Sequence, residues 1–301
     1  DMRIGVDLGG TKIEGIILSP HGKLEQKLRI ETPGQHYESI LEALLEVIVT
    51  LQQQANKTLS VGIGTPGALS FPAEVMKNCN SISLNGRALK KDVEAKLGYE
   101  VRIENDANCF ALSEAHYGNG AGAKSVFGVI IGTGTGGGVV INKALLTGPN
   151  SIAGEWGHNS LPSSARELID NDRRCYCGRS NCIETVLSGR GLSRTHLDRT
   201  GAQASAKDIA KAAYAGEGEA IATLDIYIQQ LAQCLATVTN LIDPEVIVLG
   251  GGLSNIKRLY DSVPSAMADY VFTDKMLTRI EAPSFGDARG ARGAACLWPI
   301  A

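Results

Sequence analysis

Residues 3–18 read RIGVDLGGTKIEGIIL and residues 126–141 read VFGVIIGTGTGGGVVI. In each, two β-type apolar runs flank a glycine-rich turn, which predicts a β-hairpin. The same device used twice, about 120 residues apart, predicts two related domains rather than a solenoid, whose repeats are far shorter. Between the hairpins, YESILEALLEVIVTLQQQ (37–54) places apolar residues at 40, 41, 44, 45, 48 and 51, a helical period. SVGIGTPGALS (60–70) predicts a strand running into a glycine-proline loop, and VRIEN (101–105) predicts a short strand. DANCFALSEAHYG (106–118) predicts a helix that starts on Asp106. GNGAGAK (118–124) predicts a boundary between the halves. Beyond the second hairpin, 151–201 shows little periodicity. IATLDIYIQQLAQCLATVTNLI (221–242) predicts a long helix stopped by Asp243-Pro244. EVIVLGGGLSN (245–255) predicts a buried strand ending in three glycines. Strands alternating with helices predict an α/β fold with much parallel sheet.

Composition bounds the function. The chain has 301 residues, 44% of them apolar, and a formal charge of −3. That length suits about two domains, and the apolar share excludes wholesale disorder. The near-neutral balance leaves no basic footprint, which argues against nucleic acid and anionic membrane as partners. No run of about 18 apolar residues predicts a transmembrane helix, and no basic-then-apolar leader opens the sequence. Seven cysteines, an odd number with few local pairs, fit a reducing cytoplasm better than a disulfide framework. The 35 glycines point to tight turns and close backbone approaches.

Three glycine loops follow strands: Gly9-Gly10-Thr11, Gly132 to Gly138, and Gly250-Gly251-Gly252. Without a Cβ, backbone amides in such loops can converge on phosphate oxygens, although any one of them alone is an ordinary turn. Asp7, just before the first loop, is placed to hold Mg²⁺ through water. Gly132-x-Gly134-x-x-Gly137 matches the dinucleotide fingerprint, but VVINKALL after it reads as strand where that fingerprint needs a helix. GNGAGAKS (118–125) fails as a Walker A loop because Ala123 stands where glycine should precede Lys124.

Asp106, at a helix start, reads either as an N-cap or as a general base for a hydroxyl proton; Asn105 beside it is equally good turn chemistry. Cys175-x-Cys177-x4-Cys182 with His158 upstream offers three thiolates and an imidazole, enough for a closed, structural Zn²⁺ site. His196 is the other candidate for the fourth ligand. Arg173, Arg174 and Arg179 around these cysteines would favour thiolate. Glu155, in Glu155-Trp156-Gly157-His158, and Glu184 read as solvated surface residues or as acceptors for sugar hydroxyls; a metal joining His158 to the Cys loop would draw them together.

Together, DLGGTK (7–12), the Asn105-Asp106 pair in ENDANCFALSEA, GTGTGGG (132–138), GEWGH (154–158), CYCGRSNCIE (175–184) and VIVLGGG (246–252) resemble the ROK family of sugar kinases and repressors, across essentially the whole chain and in family order. Within it, Trp156-Gly157-His158-Asn159, SLNGRALKKD (83–92) and RGAACLWP (292–299) look most like bacterial fructokinases of broad hexose use, with N-acetylglucosamine kinases next. One departure is Asn181, where the family's Cys loop usually carries glycine before its last cysteine; Asn tolerates the left-handed conformation better than most residues.

The resemblance implies the two-domain fold of the actin-like and hexokinase-like ATPases, with duplicated ribonuclease H-like domains. The implied division is a smaller α/β domain, 1–118, rejoined by a C-terminal helix at 287–301, and a larger one, 119–286, with the zinc loop. It implies a kinase that uses ATP and Mg²⁺ to phosphorylate a hexose, at C6. Asp106 would be the base, and Gly67, Asn78, Asn105, Asp106, Glu155, His158 and Glu184 would meet the sugar. Gly5, Val6, Asp7, Leu8, Gly9, Gly10, Thr11, Lys12, Gly132, Thr133, Gly134, Thr135, Gly136, Gly137, Gly138 and Val139 would hold the phosphates, with Gly250, Gly251 and Gly252 by the adenosine. Asp7 would sit near Mg²⁺, and His158, Cys175, Cys177 and Cys182 would bind structural Zn²⁺. The implied protein is a cytoplasmic homodimer, with closure of its domains excluding water. A rival from another class is a sugar-sensing repressor. A first strand at Arg3 is expected to leave no room for its helix-turn-helix, and −3 offers no phosphate-binding surface. A catalytically silent sugar binder is the other rival, against which Asp106 and the glycine loops argue.

Overall fold

The computed structural model describes residues 1–286 and 288–300. The chain starts with β1 (Arg3–Leu8), β2 (Lys12–Leu18), β3 (Leu24–Glu31), α1 (Tyr37–Ala55), β4 (Ser60–Thr65), β5 (Ala68–Ser70), β6 (Val75–Lys77), α2 (Leu89–Leu97), β7 (Val101–Asn105) and α3 (Asp106–Tyr117). It continues through β8 (Ser125–Ile131), β9 (Thr135–Ile141), β10 (Ala144–Leu145), α4 (Ser163–Arg166), α5 (Glu184–Leu187), α6 (Gly189–Thr200), α7 (Ala206–Tyr214) and α8 (Gly218–Ile242). It ends with β11 (Val246–Gly250), α9 (Lys257–Ala268), β12 (Arg279–Glu281) and α10 (Arg289–Ala295). Two five-stranded sheets, ordered β3-β2-β1-β4-β7 and β10-β9-β8-β11-β12, repeat one pattern. In each, a glycine-turned hairpin is followed outward by two parallel strands, as the duplicated sequence device predicts.

The first compact unit comprises residues 1–121, 138–153 and 284–301. Its core lies between the sheet and α1, whose Ile40, Leu44, Val47 and Leu51 recur at helical spacing and are buried. α10, with sequence RGARGAA, packs unusually close to β1, β4 and α3. A Cβ on Gly5 would lie 1.8 Å from the Ala291 carbonyl oxygen, one on Gly62 1.8 Å from that of Ala294, and one on Gly293 1.6 Å from that of Cys109. These glycines are therefore requirements of packing. Buried Arg3 donates to the Trp298 carbonyl at 3.0 Å, and Trp298 Nε1 donates to that of Val61 at 2.7 Å, tying the chain's end to the sheet. The implied helix at 287–301 is α10; its outer limits, 287 and 301, lie outside the described residues.

The second unit comprises residues 122–137 and 154–283. Its long helix α8 is buried along Leu224, Ile228, Leu231 and Leu235. The division differs from the expected 118/119 boundary because residues 138–153 go with the first unit. Gly138 lies against Asn108 and Ala111 of α3, with room for no Cβ. Lys143 Nζ donates to the Ala115 and Ala121 carbonyls, and His116 Nε2 meets the Lys143 carbonyl at 2.9 Å. The segment 151–201, which lacks periodicity, still folds into short helices. Buried Arg173 holds it with bonds to the Thr185 and Gly191 carbonyls and the Thr195 hydroxyl, all between 2.9 and 3.1 Å. Arg173 is thus a staple rather than a partner of the thiols. Among the described residues, no helix is long and apolar enough to cross a membrane.

Candidate functional site

In the first unit, parallel registers align the carboxyl ends of β1, β4 and β7. Asp7 lies beside Gly64, Gly64 beside Glu104, and Thr65 beside Asn105. Carboxyl ends of parallel strands are where open α/β sheets place ligands. Asn105 caps α3 by accepting from the Asn108 N–H at 2.8 Å. Asp106 is therefore not the cap: it is the first helical residue, its Oδ1 accepts from its neighbour Ala107, and it remains exposed. Asn105, in turn, has its side-chain oxygen committed to the cap, a role sequence spacing did not assign.

The carboxyls here are held toward their protonated forms. Asp7 is pushed up to about 6, by burial first and then by the nearby charges of Asp106 and Glu14, against a smaller opposing pull from Lys12. Asp106 is also raised, by desolvation, although water reaches it: much protein surrounds an accessible carboxyl. Gly290 of α10 lies against Asp7, where a Cβ would come 2.5 Å from its Oδ2. Gly9, Gly10, Thr11 and Lys12 form the hairpin turn, closed by the Gly9 N–H on the Lys12 carbonyl at 3.0 Å and braced by Thr32 at 2.8 and 2.9 Å.

Several expected ligands have other work. Gly5, Val6 and Leu8, expected at the phosphates, are buried in β1, with Gly5 pressed on α10. Gly138 and Val139 are likewise buried, Gly138 against α3. Gly67 is buried, a Cβ there would lie 2.4 Å from Cys79 Sγ, and its carbonyl accepts from the Thr65 hydroxyl at 2.7 Å. Asn78 is exposed in the left-handed conformation, φ 56°.

In the second unit, the turn after β8 closes with the Gly132 N–H on the Gly134 carbonyl, 3.0 Å. Residues 155–158 fold onto it. Trp156 Nε1 donates to the Gly136 carbonyl at 2.9 Å, Trp156 packs edge-on to Phe127, and a Cβ on Gly157 would lie 2.2 Å from the Thr135 carbonyl. Gly137 is buried against Phe127. At the end of β11, Gly250 is buried, Gly251 has φ 83° and Gly252 is exposed. Gly132, Thr133 and Gly252 line a cavity of about 1200 Å³ with residues from α6, α7 and α9. Arg190, Ser193, Lys207, Tyr214, Asn255 and Lys257 line it too; no motif marks them, because α6, α7, α9 and the turn after β11 deliver them separately.

His158, Cys175, Cys177 and Cys182 converge, with their candidate ligand atoms all within 4.8 Å of one another. Cys175 Sγ is 3.5 Å from His158 Nδ1, and Cys177 Sγ is 3.5 Å from Cys182 Sγ. Three sulfurs and one imidazole nitrogen at such spacing are a donor set for a tetrahedral metal. His196, the other candidate, is buried with Nδ1 at 2.7 Å from the Thr223 hydroxyl. Asn181 takes the left-handed conformation, φ 58°, and its side chain accepts from the Arg173 N–H and donates to Asp172, each at 2.8 Å. The turn thus survives without glycine. Arg179, through its N–H and its guanidinium, pulls the Cys177 thiol down to about 6, toward thiolate. His158 Nε2 meets the Tyr176 hydroxyl at 3.0 Å. That phenol is pushed up to about 12, by desolvation at its hydroxyl first and then by the charges of Glu184, Cys175 and Glu155, even though the side chain as a whole is exposed. Glu155 and Glu184 are thereby both near Tyr176, as expected if the Cys loop draws them together.

Comparison with known proteins agrees with this architecture. N-acetyl-D-glucosamine kinase of Pectobacterium carotovorum is 40% identical over 300 residues, 98% of each chain, and that of Pasteurella multocida is 36% identical over 301 residues, 99% of each. The crystal structure of a ROK hexokinase from Thermus thermophilus superposes with a TM-score of 0.87 at 29% identity, covering 98% of this chain and 97% of its own. A ROK family glucokinase from Streptomyces griseus, solved with glucose and AMPPNP, gives 0.76 at 27% identity over 99% of both. The fold is that of the actin-like and hexokinase-like ATPases. The ROK family model matches residues 3–300, and the chain belongs to the ROK family.

Proposed function

We propose that this protein phosphorylates N-acetyl-D-glucosamine at its C6 hydroxyl with Mg-ATP. It is a carbohydrate kinase of the ROK family. The choice of sugar reverses the expected order, fructose first: the full-length relatives are named N-acetyl-D-glucosamine kinases, and none of those reported above is named a fructokinase. The observation that carries the chemistry is the carboxylate pair at the ends of β1 and β7, Asp7 and Asp106.

Phosphoryl transfer is mostly positioning and charge neutralisation. Asp106, free of capping duty, takes the proton from the attacking hydroxyl; its raised affinity for protons suits that task. Asp7 would hold Mg²⁺: burial first, and then the charges of Asp106 and Glu14, raise its carboxyl, and a divalent cation would favour the ionised form. Bound Mg²⁺ neutralises charge on the triphosphate. The amides of Thr133 and Gly134 meet phosphates, and the cavity beside them holds the nucleoside. Glu155 and Glu184 accept from sugar hydroxyls. The His158-Cys175-Cys177-Cys182 set holds structural Zn²⁺, which fixes the loop that presents Glu184. The seven free cysteines and the use of ATP support a cytoplasmic location. Exposed Leu241, Phe272 and Leu277 in the second unit support a homodimer, testable by sedimentation.

The test is ADP release from Mg-ATP across N-acetylglucosamine, N-acetylmannosamine, glucose, mannose and fructose. Turnover highest on N-acetylglucosamine is expected. Faster turnover on fructose would restore the fructokinase reading. No turnover on any sugar, with the fold intact, would favour a non-catalytic sensor.

A further inference from the structure

Glu184 faces the glycine turn as well as Tyr176. Its Oε2 accepts from the Thr135 N–H at 2.8 Å. Gly134 runs so close that a Cβ there would lie 2.9 Å from the same oxygen. Five residues on, the Gly189 N–H donates to the Gly132 carbonyl at 2.7 Å. The segment 184–189 therefore grips the 132–135 turn at both ends, and Gly132, Thr133 and Gly189 line the cavity beside it. A carboxylate bonded to a backbone N–H is among the stronger neutral-donor hydrogen bonds. The Thr135 amide, which an unbraced turn could aim at phosphate, is committed to Glu184.

We propose that Glu184 is a positioning residue for the nucleotide: through Thr135 it sets the glycine turn, and so links sugar occupancy to nucleotide affinity. This rests on the proposed reading that Glu184 meets sugar and the turn meets phosphate. A sugar hydroxyl donating to Oε1 orders the carboxylate, so less side-chain freedom remains to be lost when the nucleotide arrives. Linkage makes the effect reciprocal: sugar tightens nucleotide by the factor by which nucleotide tightens sugar.

The test is titration calorimetry of Mg-ADP on the full chain, with and without N-acetylglucosamine, for wild type, E184A, E184Q, G134A and the E184A/G134A double variant. E184A is expected to weaken Mg-ADP about tenfold in the absence of sugar and to abolish the tightening that sugar brings. E184Q keeps an acceptor oxygen and restores most of the sugar-free affinity while remaining weak for sugar. G134A, whose new Cβ pushes on Oε2, weakens Mg-ADP only while Glu184 is present, so the double variant matches E184A. Wild-type Mg-ADP affinity in E184A, or additive effects in the double variant, would overturn the proposal. If E184A fails to fold, E184Q and G134A decide: equal losses of sugar-free affinity in both would overturn it. The readout needs no turnover, so a wild type that binds Mg-ADP but phosphorylates nothing would sink the kinase reading alone. One that binds no Mg-ADP would sink both.

Discussion

Glycine does opposite things at the α10 packing contact of the first unit and beside the cavity of the second. In the first, Gly5, Gly62 and Gly293 are closed positions, where backbone from α10 or α3 occupies the space a side chain would need. In the second, Gly132 and Gly252 are open ones: the nearest atom to a Cβ on Gly132 is 3.8 Å away, and nothing lies within 4 Å of one on Gly252. The first set lets protein approach protein, and the second leaves room for something that is not protein. The difference shows that a glycine-rich motif is ambiguous until its neighbours are known; the proposed chemistry of the first unit rests on carboxylates instead.

That last inference yields the largest expected effect. Asp106→Asn should lower kcat by about 10²- to 10⁴-fold while sugar binding, read by calorimetry, stays within a few-fold of wild type. Wild-type-like kcat would return Asp106 to a helix-start residue. Next comes the contrast itself. Gly5→Ala puts a Cβ 1.8 Å from a backbone oxygen and should cost about 3 kcal/mol in urea denaturation. Gly252→Ala should cost under about 1 kcal/mol yet weaken Mg-ADP binding. Similar stability losses in the two would dissolve the distinction. Cys177→Ser, in the second unit only, should lower zinc content by elemental analysis, with a drop in Tm that chelator reproduces in wild type. Unchanged metal content would reject the site.

The smallest effect is pH dependence in the first unit. Asp7 sits at about 6 against an ordinary 3.8, so between those values the folded state binds more protons than the unfolded. Its contribution to stability therefore falls as pH rises from about 4 through 6. Asp7→Asn should gain stability relative to wild type across that window, and Mg²⁺ should flatten the difference by favouring the ionised carboxyl. A difference independent of pH would mean that Asp7 is not perturbed.

Much of the fold was legible because it follows from local pattern. Both hairpins, the helix at 37–54, VRIEN and the strand before Gly250 lie where periodicity puts them. β3 was missed because LEQKLRIE is an outer strand with mostly polar, solvent-facing residues, which carry little apolar signal. The Cys spacing announced a metal-competent cluster, but only burial chose His158 over His196. The bond from Thr135 to Glu184 spans 49 residues, and that of Lys143 to Ala115 of α3 spans 28; no short window of sequence contains either. The packing reason for Gly5 is not legible in DLGGTK, because it lies in α10 at the far end of the chain.

The most direct test is competition. Equal concentrations of N-acetylglucosamine and fructose are incubated with limiting Mg-ATP and the protein, and the phosphorylated sugars are resolved by ³¹P NMR. The account predicts that N-acetylglucosamine 6-phosphate forms first, in about tenfold or greater excess. A majority of fructose phosphate would contradict it.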